Sequence, residues 1–156
     1  MELATLVSQS LRTLLKETMF HAEKHGGFLL NGGEPGMVAT LQELSAEQAS
    51  KPPGPGRKPI VSHANHVLFG WELLNRALQG ENSFAGADWN AAWKLERVND
   101  AEWQELLGKL EKNAAEILER APRYTEWNEM MLTGTFASAA HTAYHLGAIR
   151  QMLREV

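Results

Sequence analysis

Residues 141–150 read His141-Thr142-Ala143-Tyr144-His145-Leu146-Gly147-Ala148-Ile149-Arg150, a stretch without proline that carries two histidines four apart. In a helix that spacing stacks the two side chains on one face, roughly 5–6 Å apart at Cβ, so both imidazoles can reach one ion. At about 100° per residue, the nearest positions around His141 are Gly134, Ser138, Ala148, Met152 and His145. Small residues therefore leave room beside the rings, where a helix built only for packing would place Leu. The alternative is a pair of buried histidines bonded to their neighbours. For an i, i+4 pair on an inward face, metal binding is the stronger reading, because neutral imidazole is the commonest metal ligand.

The rest of the chain sets the frame. Its 156 residues suffice for one domain with a real core. The formal net charge of −4 is spread without a basic stripe, so nucleic acid is not an expected partner. Cysteine is absent, which excludes disulfides, thiolate nucleophiles and Cys–Zn sites. No apolar run approaches the roughly 20 residues of a membrane span, and Met-Glu-Leu-Ala-Thr-Leu lacks the features of a signal peptide. The expectation is a soluble, cytoplasmic protein.

Helical periodicity dominates. Residues 2–25 read as a first long helix, with Leu3, Val7, Leu11, Leu14 and Thr18 as its stripe and Gly26-Gly27 as its stop. His21 and His25 continue that stripe as a second i, i+4 pair, and His21 is a candidate pocket-lining residue. Gly26–Gly36 reads as a loop with Phe28, Leu29 and Leu30 tucked beneath it. Met37–Leu44 is a short helical piece, and Ser45 with Gln48 forms a capping-box pattern that opens another. Lys51-Pro-Pro-Gly-Pro-Gly56 is a stiff connector. A second long helix begins at Pro59 and ends near Gly80, with Ile60, Ala64, Val67, Trp71, Leu74 and Leu78 facing inward. His63 lies at the edge of that stripe and His66 a step further round. Geometry lets either face a pocket and slightly favours His63.

After an irregular stretch with a turn around Trp89–Trp93, a third long helix opens at Asn99, with Glu102 as its cap partner. It ends before Pro122. The last helix runs from about 132 to 154 and is apolar nearly all round. Its back face, Phe136, Ala139, Ala143 and Leu146, exceeds what one bundle core needs and predicts a homodimer. Four long helices, with histidines on two of them, describe an all-α four-helix bundle with a site between helices.

Catalytic zinc-type sites use three protein ligands and keep a position open. His141 and His145 supply two, and His66 or His63 can supply a third. Such an ion lowers the pKa of bound water or activates a substrate thiol. Competing scaffolds lack their signatures: no Glu-x-x-His pairs of a di-iron bundle, no His-Glu-x-x-His, no Gly-x-Ser-x-Gly elbow.

The stretches 58–69 and 140–151, with Asp88-Trp89 and Val98 to Trp103, resemble the DinB-like (DinB/YfiT) family of four-helix-bundle metal-binding proteins. The resemblance covers most of the chain. It implies one DinB-like bundle domain over 1–156, with short extra helical turns in the connectors. It also implies that His66, His141 and His145 bind one divalent metal, zinc or nickel ahead of iron or manganese. In relatives the position of His63 is usually apolar, which favours His66 over the helical-wheel preference. Relatives often carry Gln just after the glycine matching Gly147, where this chain has Ala148. The family includes transferases and isomerases that use low-molecular-weight thiols such as bacillithiol or mycothiol, and members without known activity. The implied function is a metal-dependent thiol S-transferase or hydrolase acting on a small molecule, with His63 and His21 as candidate proton acceptors. The alternative is a non-catalytic bundle that binds a small ligand or protein partner.

Overall fold

The computed structural model describes residues 2–155. Among them are α1 (Leu3–Met19), α2 (Met37–Gln42), α3 (Ala46–Ser50), α4 (Ile60–Ala77), α5 (Asp100–Arg120) and α6 (Glu129–Met152). Single 3-10 turns lie at Ala91–Trp93 and Ala121–Arg123, and the described residues contain no strand. The four long helices form a ring: α4 packs against α5 and α6, and α1 closes the ring against both. This is the all-α bundle expected from the periodicity. Its core is apolar side chains of all four long helices and of α2, including Leu11, Met37, Trp71, Trp103, Leu110 and Leu146, each essentially inaccessible to solvent. Burying a leucine in this way contributes about 1.5–3 kcal/mol.

Side-chain caps mark the starts of three of the six described helices. Ser45 and Gln48 form a reciprocal capping box at α3, and Asn99 and Glu102 do the same at α5. α6 starts at Glu129, earlier than its apolar pattern suggested, because Asn128 caps it by accepting from the Met131 N–H at 2.9 Å.

The first helix departs most from the sequence reading. α1 stops at Met19, so His21 and His25 lie beyond it in an exposed loop. The stop is imposed by tertiary contacts. The Gly36 N–H donates to the Phe20 carbonyl at 2.7 Å and the Ala22 N–H to Glu34 at 3.0 Å, so residues 20–36 fold back on the helix end. A Cβ on Gly36 would sit 2.7 Å from Thr18 O and Phe20 N, which explains the glycine there. Of the three side chains expected beneath the loop, only Leu30 packs against the core, half-buried. Phe28 is 76 % exposed and Leu29 43 %, while their backbone N–H groups turn inward to the carboxylate of Glu17.

On α6, Ala139 and Leu146 are buried in this chain's own core, while Phe136 is 44 % exposed. Half of the face that the sequence reserved for a partner is therefore used within the bundle. No helix among the described residues is long and apolar enough to cross a membrane.

Candidate metal centre

The site lies between α4 and α6, which run antiparallel across it: His63 faces His145, and His66 faces His141. A buried polar contact sets this register. The Trp71 indole N–H donates to Thr142 Oγ1 at 3.0 Å, and that hydroxyl donates to the Ser138 carbonyl at 2.8 Å. Unpaired, a buried indole N–H would cost about 1–3 kcal/mol, so the bond resists sliding of α4 past α6.

His66, His141 and His145 each place one ring nitrogen within 4.8 Å of the other two. His141 Nε2 is 3.1 Å from His66 Nε2 and 3.0 Å from His145 Nε2. A single ring nitrogen has either one lone pair or one N–H, so His141 Nε2 cannot make two linear hydrogen bonds at once. A cation among the three removes that conflict by accepting all three lone pairs. Nitrogens about 2.0–2.1 Å from a tetrahedral ion are about 3.3 Å apart, so the two gaps to His141 need to widen by only a few tenths of an ångström, and the His66–His145 pair lies within 4.8 Å. The donor set therefore fits a divalent ion.

His63 stands outside this triad. Its Nδ1 lies 3.0 Å from His145 Nδ1, on the ring edge away from the convergent nitrogens. When His145 Nε2 is a ligand, its Nδ1 carries the hydrogen and donates to His63, which orients the ring. His66 Nδ1, by contrast, is buried without a hydrogen-bond partner among the described residues. That ring is held by stacking instead: Trp93 lies over it with centroids 4.3 Å apart and planes at 25°. Trp93 also meets His63 edge-on at 5.0 Å, and Trp89 approaches His66 at 5.6 Å.

These two tryptophans border the site, a role the sequence does not assign them: it places both in a turn and Trp89 in a stretch that carries the resemblance. The connector that carries them is tied to α4 by Ser62 Oγ donating to the Leu95 carbonyl at 2.6 Å and Asn65 Nδ2 to the Ala92 carbonyl at 2.8 Å. The available signal was two tryptophans in an irregular segment, where no helical stripe accounts for them. His21 and His25, in the exposed loop after α1, are not brought to the triad.

Burial controls the charge of the cluster. His145 is pushed down to about 3, first by burial and then by the charges of His141, His63 and His66. His66 is pushed down to about 4, by burial and then by His141 and His63. Burial also lowers His63 and His141. At neutral pH the imidazoles are neutral and their lone pairs are available to a metal.

The same shifts predict acid sensitivity of the metal-free protein. Above pH about 6.5 folded and unfolded forms are both neutral at these histidines, and stability does not depend on them. As pH falls below about 6.5 the unfolded chain takes up protons that His66 and His145 refuse until about 4 and about 3. The unfolded state then binds more protons, so stability falls with falling pH across that window. The expected slope approaches a tenfold loss in the folding equilibrium per histidine per pH unit. Urea midpoints of chelator-treated protein between pH 7 and 4.5 check this. Replacing His66 and His145 together by Gln should flatten the profile, and an unchanged slope would contradict the assignment.

Searches for similar curated proteins and solved structures return no match. The sequence profile of the DinB superfamily matches residues 34–150, a span that runs from the loop before α2 almost to the end of α6 and contains all three convergent histidines. With an all-helical bundle and that match over most of its length, the chain belongs to the DinB superfamily.

Proposed function

We propose that this protein holds one divalent metal ion through His66, His141 and His145 and uses it in a small-molecule transfer reaction, with a low-molecular-weight thiol as cosubstrate. The convergence of three neutral imidazole nitrogens within 4.8 Å carries the reading. When bound, a divalent ion supplies Lewis-acid character that lowers the pKa of a thiol or water beside it. The chain has no cysteine, so any thiol must come from solution. Zinc or nickel suits an all-imidazole set, with iron or manganese behind them.

The chain's own residues position and exclude. His63 orients His145 through its Nδ1, and Trp93 fixes the His66 ring by stacking. His63 is the candidate to take up a released proton, from the neighbouring cleft that it lines with Trp93 and not through His145, whose two ring nitrogens are both engaged. His21 is less suited to that role, because it lies exposed in the loop after α1.

The test begins with elemental analysis of protein purified without a histidine tag, where one ion per chain is expected. Turnover is then assayed with a panel of thiols and model electrophiles. Equal rates for wild type and His141→Ala would remove the metal from the mechanism.

A second reading, a bundle that binds a ligand without catalysis, draws on the 3.0 and 3.1 Å gaps within the cluster, one of which at a time can persist as a hydrogen bond without an ion. Metal-free protein as purified and no turnover with any thiol would favour it.

We further propose one domain over residues 1–156, a cytoplasmic location and a homodimer without nucleic acid or membrane partners. The exposed Met130, Phe136 and Tyr144 along α6 support the dimer. A stable monomer in light scattering at micromolar concentration would contradict it.

A further inference from the structure

A cavity of about 410 Å³ opens beside the His66–His141 edge of the cluster. That volume falls within the range of small-molecule sites. Its walls are aromatic: Trp71, Phe84 and Trp89. Two glycines, Gly70 on α4 and Gly134 on α6, leave the space between those rings unfilled. A Cβ on Gly70 would touch the Trp89 ring at 3.5 Å, and one on Gly134 would meet nothing within 4 Å.

No charged side chain lines this cavity, and its polar groups are His66, His141 and Ser138. A charged ligand placed there would lose hydration without a counter-charge. An uncharged ring loses nothing comparable and gains from edge and face contacts with the aromatic walls. The cationic groups near the cluster are elsewhere. Arg57 and Lys58 line a separate cleft with His63 and Trp93, and both are already paired, Arg57 with Glu155 at 2.6 Å and Lys58 with Glu96.

We propose that the cavity between α4 and α6 is a binding site for an uncharged aromatic group, whose functional end reaches the His66–His141 edge of the cluster. This names a substrate class for the metal centre and rests on that reading only for which end of the ligand reacts. Gly134 sets the depth of the site, because any side chain there grows into the empty space.

The probes are benzyl alcohol and its charged analogue benzoate, titrated by ligand-observed NMR against the full chain, metal-loaded and chelator-treated. Benzyl alcohol should bind both forms. Benzoate should bind the chelator-treated form at least about tenfold more weakly, where no ion can capture its carboxylate. Gly134→Leu should weaken benzyl alcohol at least about tenfold while leaving metal content unchanged. The helix tolerates this change, since leucine is a better helix former than glycine. Benzoate binding as tightly as benzyl alcohol to chelator-treated protein, full affinity in Gly134→Leu, or no binding of either probe would each overturn the proposal. Ring binding by a protein that takes up no metal would count against the metal reading and leave this one standing.

Discussion

His141→Ala is expected to abolish stoichiometric metal binding while leaving the bundle folded. His141 Nε2 is the nitrogen common to both short contacts, 3.1 Å from His66 and 3.0 Å from His145. Without it the remaining pair cannot enclose an ion from three sides. Losing a group that merely orients a ligand costs metal affinity about 10–100-fold, so losing a ligand itself should cost about 100-fold or more. The fold should survive, because alanine is the best helix former and His141 is only half-buried. Isothermal titration of zinc or nickel against wild type, His141→Ala and His21→Ala checks this. His21 is exposed and lies outside the convergent group, so its variant should bind as wild type does. One ion per chain at unchanged affinity in His141→Ala would remove that residue from the proposed site.

Glu17→Ala should destabilise the protein by about 3 kcal/mol, a large share of the roughly 5–15 kcal/mol that holds a domain folded. Glu17 sits in the last turn of α1 and is 4 % exposed. A carboxylate near a helix C-terminus is opposed by the helix dipole. What holds it is the loop: the N–H groups of Phe28, Leu29 and Leu30 all donate to it, at 2.9, 2.6 and 2.5 Å. Alanine would leave three donors without their acceptor, at about 1–3 kcal/mol for each that stays dry. Opening of the loop to water caps the total. Glu17→Gln keeps one acceptor oxygen without the charge, so its loss should be smaller. Urea denaturation measures both, and hydrogen exchange at residues 28–30 should accelerate in Glu17→Ala. An unchanged midpoint would show that the loop is not tied through this carboxylate.

How far the site was legible depends on how local its causes are. The i, i+4 spacing of His141 and His145 is a property of one helix, and no tertiary contact is needed to stack them. Choosing between His63 and His66 is different. Both lie on α4, and the wheel slightly favoured His63. The choice depends on the rotation and register of α4 against α6, which the buried Trp71–Thr142 contact holds. In that register His66 joins the convergent nitrogens and His63 backs His145 from outside. The place of Trp89 and Trp93 at the site is hidden in the sequence for a related reason. They lie in an irregular connector, where no periodicity indicates a direction, and it is long-range contacts, among them the hydrogen bonds from Ser62 and Asn65, that bring that connector onto α4.

By itself the sequence determined the all-α class, the capping boxes at Ser45 and Asn99, the start of α4 to within one residue of Pro59 and the shared face of His141 and His145. These follow from helical period and capping chemistry, which act within a few residues. Tertiary structure decided where α1 ends, that Glu17 gathers the loop amides, that Ala139 and Leu146 belong to the chain's own core, and that an aromatic cavity opens beside His66. Each of these depends on contacts between residues distant in sequence, whose geometry is set by how helices pack against one another and not by the preferences of any one segment.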